Sequence, residues 1–173
     1  MKKSFAGMLL IGLSFTLLAV SALVYDQANQ TTTQTIVNVA SITLNNAALG
    51  NIEEGETILY TASNTSILND ILSLTTSKDD VYLYFDTDLD LQNTNYDVYN
   101  IQVRVGDTVP GGSTYGTGDL FENLSIGQPD TTSGVALDAA GDWTFDFQIL
   151  TTAKMVNSNQ TTTVGVTVTA ENA

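Results

Sequence analysis

Between Trp143 and Ile149 every second residue is large and apolar, and the residues between are Thr, Asp and Gln. A period of two belongs to a strand with one face in a core and the other in solvent. The same alternation returns at Tyr99, Ile101, Val103 and Val105. It recurs at Val164, Val166, Val168 and Ala170, with threonines on the other face. Val81, Leu83, Phe85, Leu89 and Leu91 form another inward row, with Tyr82, Tyr84, Asp86, Asp88 and Asp90 outward. Beyond the first 25 residues Thr, Asn, Ser, Val and Asp prevail and good helix formers are scarce, which favours strands. Residues 45–55 read as a turn region and 56–61 as a short strand. Ile67, Leu68, Ile71, Leu72 and Leu74 keep helical spacing behind Thr65 and Ser66 and predict one short helix. Two glycine-rich loops cover 107–119 and 127–141. The expected fold is all-β: a jelly-roll-like antiparallel sandwich with one short helix.

The first residues follow a different logic. Lys2 and Lys3 precede an apolar run from Phe5 to Val20, and Val20-Ser21-Ala22 ends it with small residues. This predicts a secretory signal over 1–22, cleaved after Ala22. A polar tether over 23–34 follows, and then the sandwich over 35–173. The competing reading is a retained hydrophobic helix of the type IV-like pilin or archaellin kind, since Phe5 to Tyr25 is long enough to span a bilayer. Lys3 is followed by Ser4-Phe5-Ala6-Gly7, whereas such leaders place a basic residue directly before a Gly or Ala cleavage point. Both readings export the chain to the cell surface or beyond, and the membrane is met only through the leader.

Charge removes several functions. The chain has 19 acidic and 5 basic residues, no histidine and no cysteine, for a net charge of −14. Beyond Lys2 and Lys3 only Lys78, Arg104 and Lys154 oppose the 19 acids, a net −16. Such a surface repels phosphate backbones, so no nucleic-acid partner is expected. Without His or Cys there is no imidazole base, thiol nucleophile, thiolate or imidazole metal site, or disulfide. The acidic clusters at 53–56 and 79–80 have no marks of a glycosidase pair, and no enzymatic activity is expected.

Two candidate sites remain. Asp86, Asp88, Asp90 and Asp97 occupy positions one, three, five and twelve of a calcium loop. Leu91 stands where that loop needs Gly, and Asp97 where it has Glu, so a plain acidic strand edge fits the same residues. No other cofactor is expected. Asn-x-Ser/Thr sequons at Asn29, Asn64, Asn123 and Asn159 fall in or beside expected loops and are candidates for N-glycosylation.

The segment from Thr35 to Leu44 carries apolar residues on both faces: Ile36, Ala40, Ile42 and Leu44 on one, Val37 and Val39 on the other. Together with the leader, the Leu49–Glu56 segment, the Asn64-Thr65-Ser66 turn, Trp143 to Ile149 and Val164 to Ala170, it resembles the TasA and camelysin group of secreted filament proteins and the related archaeal bundling pili and threads. Glu54 and Thr65 stand where that group commonly has Pro and Gly. The resemblance implies a subunit that polymerises head to tail with itself by donor-strand complementation, serving adhesion, bundling or a biofilm matrix. Ile36, Val37, Val39, Ile42 and Leu44 would be the donor residues. A self-contained, monomeric cell-surface sandwich is the alternative.

Overall fold

The computed structural model describes residues 40–129, 131–156 and 158–172, all within the unit Val37–Ala173. The leader, the tether and Thr35 to Val39 lie outside the described residues. Among the described residues nine strands follow one another: β1 (Ala40–Leu44), β2 (Thr57–Tyr60), β3 (Leu72–Thr76), β4 (Val81–Thr87), β5 (Tyr96–Val105), β6 (Leu120–Ser125), β7 (Val135–Ala136), β8 (Gly141–Ala153) and β9 (Val166–Asn172). They form an all-β, sandwich-like fold of two antiparallel sheets. The larger has the order β1-β3-β8-β5-β6, with β2 also on β8, and the smaller has the order β7-β4-β9.

β8 is the spine of the larger sheet. One side pairs β3 through Gly141–Phe145 and β2 through Ile149–Thr152, while the other pairs β5 along most of its length. Its inward residues Trp143, Phe145, Phe147 and Ile149 are buried, as their alternation requires. Tyr99, Ile101, Val103 and Val105 on β5 and Val81, Leu83 and Phe85 on β4 are buried with them. Phe85 meets Phe121 edge-on at 6.5 Å across the two sheets, and Phe121 packs on Phe145 at 4.9 Å. Trp143 stacks on Phe145 at 5.9 Å and donates its Nε1–H to the Ala139 carbonyl at 3.1 Å. Aromatic pairs of this kind contribute about 0.5–1.5 kcal/mol each beyond the area they bury. Gly134, at φ +85, lies under the Tyr84 ring, where an added Cβ would come within 2.7 Å of a ring carbon.

Three expectations are corrected, and one strand, β6, had no expectation. The helical spacing at 67–74 yields a 3-10 turn at Ser66–Leu68 and then strand β3. Asp70 takes φ +48 and ends the helical path, and Leu72 and Leu74 enter the sheet between β1 and β8. Burial in the sheet overrides a weak helical preference there. Leu91 is not inward: a second 3-10 turn, Leu89–Thr94, carries it out to 72 % exposure. β6 has no alternation to announce it, because the β5–β6 register shifts at Val103/Arg104, and Phe121 and Leu124, three apart, both turn inward. The last alternating row is strand only from Val166, with Val164 in the connection before it.

Candidate assembly surface

The segment expected to donate a strand meets the sandwich at β1. From Ala40 to Leu44, β1 pairs the chain's own β3 in antiparallel register, with Ile42 opposite Leu74 and Leu44 opposite Leu72. Ala40, Ile42 and Leu44 are half-buried against the core, and Ser41 and Thr43 are exposed. Ala40, Ile42 and Leu44 thus keep the one apolar face read for them, and Ile42 and Leu44 pair within their own subunit's sheet in the isolated chain. Ile36, Val37 and Val39 lie outside the described residues.

β1 ends the larger sheet, and β9 ends the smaller one beside it without pairing to it. Val166, Val168 and Ala170 along β9, and Val164 just before it, are half-buried, in contrast to Val81, Leu83 and Phe85 on its partner β4, which are fully buried. Among the described residues no strand pairs the outer edge of β9. Among the described residues this flank thus leaves two rows of apolar side chains half covered, and both of its strands carry an unpaired outer row of backbone donors and acceptors.

The four carboxylates of the candidate calcium loop do not converge. Asp86 accepts a hydrogen bond from Thr131 Oγ1 at 3.3 Å, Asp88 from the Gly165 N–H at 2.7 Å, and Asp90 from the Gly127 N–H at 2.8 Å. Asp97 faces Lys154 Nζ at 3.8 Å. Each is engaged with a different segment of the chain, and among the described residues no group of three or more acidic side chains is placed to hold a metal ion. The 3-10 turn after Asp88 breaks the spacing on which the loop reading rested.

The sequons divide. Asn64 is exposed, with Oδ1 accepting from the Thr61 N–H at 2.7 Å and Nδ2 donating to the Leu59 carbonyl at 2.8 Å. Asn159 is exposed in the connection to β9. Asn123 is not in a loop: it is half-buried within β6, its Oδ1 held by Asn100 Nδ2 at 2.9 Å, since β6 itself was not legible. Asn29 lies outside the described residues.

Two acidic groups escaped the sequence reading. Asp146 is half-buried on β8 and accepts the Asp70 N–H at 2.7 Å. Burial pushes its carboxyl above the usual carboxylate range, and the charges of Asp70 and Asp107 add to this against the pull of that hydrogen bond. Asp138 is exposed. Desolvation opposes its charge, but hydrogen bonds from Ser113 Oγ at 2.7 Å and from Thr114 N and Oγ1 at 2.6 and 2.5 Å outweigh it and hold the carboxyl below that range. The pair braces the loop that lays Tyr115 against Phe121 and Trp143. Only pairing across distant segments brings these groups together, so spacing held no signal of them.

The chain matches no known protein-family model and no curated protein. Among the described residues no helix is long and apolar enough to cross a membrane.

Proposed function

We propose that the chain is a structural subunit of an extracellular filament, in which the segment just before β1 of one copy completes the open flank of the next. The observation that carries this reading is that flank: β9 with an outer edge that no strand pairs among the described residues, and half-covered apolar rows on β1 and β9. Ile36, Val37 and Val39 supply apolar side chains immediately upstream of β1. Each such side chain fully buried contributes about 1.5–3 kcal/mol, and an added strand contributes backbone hydrogen bonds as well. Ile42 and Leu44 stay in their own sheet and anchor the donating segment to its subunit. Insertion of this kind is heterologous and does not close on itself, so it propagates as a fibre. Deleting residues 23–39, or changing Ile36 and Val39 to Asp, is expected to give soluble, unpolymerised protein with an unaltered β-type circular dichroism spectrum. Negative-stain microscopy should then find no filaments, and filaments from either variant would sink the proposal.

A further inference from the structure

The outward face of the larger sheet is unlike the rest of this acidic chain. Its cross-strand rows run Leu59–Leu150–Asn100 and Thr57–Thr152–Val98 over β2, β8 and β5. Leu59 is 44 % and Val98 38 % exposed, and the half-buried Leu150 lies between their strands. Across β3, β8 and the paired stretch Val98–Val105 of β5, the outward carboxylates are Asp142 and Asp146. Arg104 stands directly opposite Asp146 in the register. Asp97, at the margin, faces Lys154. Most of the remaining outward positions are hydroxyls and amides. Glu122 lies on β6 at the margin of the sheet, and eleven of the seventeen acids among the described residues lie outside the strands, at 53–56, 70, 79–80, 88, 90, 107, 119 and 138.

We infer that this face is a self-association surface, and that its partner is the same face of a second copy. A molecule with this net charge repels itself nearly everywhere, and a near-neutral patch is where two copies meet at least cost. Strand spacing of about 4.8 Å and a rise of about 3.4 Å per residue give the face a span of roughly 20 by 40 Å. That is of the order of the about 800 Å² per partner that a specific interface buries. Hydroxyl and amide rows with a central leucine pair are self-complementary, as a two-fold contact requires. The face presents no aromatic side chain on which a sugar ring would stack; the outward tyrosines, Tyr82 and Tyr84, are on the other sheet. A basic partner would be drawn to the acidic loops. The contact does not depend on strand donation and holds between monomers or between fibres alike.

The chain has no cysteine, so single cysteines report this contact cleanly. Gln148→Cys, Asn100→Cys and Thr152→Cys on this face are to be compared with Tyr82→Cys and Ala136→Cys, which are paired on the outward face of the smaller sheet away from the outer edge of β9. Each is introduced into the full chain and treated with a short bis-maleimide. Covalent dimer is expected from the first set about tenfold above the second. Dimer equal from the two sets, or absent from the first, would overturn the inference. In the Gln148→Cys background, Leu59→Glu with Val98→Glu is expected to abolish the dimer. Tyr82→Glu with Ala136→Glu, which adds the same charge, is expected to leave it. Loss with both pairs, or with neither, would also overturn it, circular dichroism having confirmed that each variant is folded.

Discussion

Asp146 carries its charge where the sandwich makes charge costly. Its side chain is half-buried on β8, and its carboxyl is raised by that burial and by the nearby Asp70 and Asp107 charges. The folded state therefore holds this proton more firmly than the unfolded chain does. Its stabilising effect is present at low pH and is lost as pH rises through the folded value, leaving a penalty at neutrality. Asp146→Asn keeps an oxygen for the Asp70 N–H and removes the charge. The variant is expected to melt above the parent at about pH 7, with the gap closing toward about pH 4, near the ordinary carboxylate value. A lower melting temperature at neutral pH would contradict the assignment. Asp138 has the opposite sign, since its hydrogen bonds favour the charged form and their contribution is lost as pH falls. Neither group was legible in the sequence, because Asp70 and Asp146 meet only once the turn before β3 is laid against β8.

Strands with strict alternation were legible, and their depth in the core follows from the same pattern. Phe145 touches both Trp143 and Phe121 and is fully buried. Phe145→Ala is expected to cost about 3–5 kcal/mol, read from urea unfolding midpoints. Leu91 belongs to the same kind of alternating row in the sequence, yet it lies on a turn in solvent. Leu91→Ala is expected to change stability by less than about 0.5 kcal/mol, and a loss like that of Phe145 would mean that the row continues as a strand. The contrast has a physical origin. Alternation says which residues share a face of a strand, but not where the strand stops. Here Asp88 accepts the Gly165 N–H, and the backbone turns immediately after it. β6 failed for the converse reason, a register shift that hides two buried residues behind the wrong spacing.

At the scale of the molecule, charge and sheet edges govern behaviour. With a net charge of −14 the folded chain repels itself, and salt screens that repulsion over a Debye length of about 10 Å at 0.1 M. Thermal unfolding is expected to shift upward between low salt and about 0.5 M sodium chloride, and an unchanged or lower midpoint would show that surface repulsion is not a significant term. The sequence by itself determined the all-β class, the inward rows of β4, β5, β8 and β9, and the acidity that sets this salt response. These follow from local period and composition, which need no knowledge of partners. Tertiary structure alone decided that 67–74 becomes a turn and a strand, that Ile42 and Leu44 pair with β3, and that Leu59, Leu150 and Val98 share one nearly uncharged face. Each of these depends on which strands lie side by side and in what register. Pairing between segments up to about a hundred residues apart, such as β2 with β8, is fixed by how their side chains pack together and leaves no mark in the spacing of either segment alone.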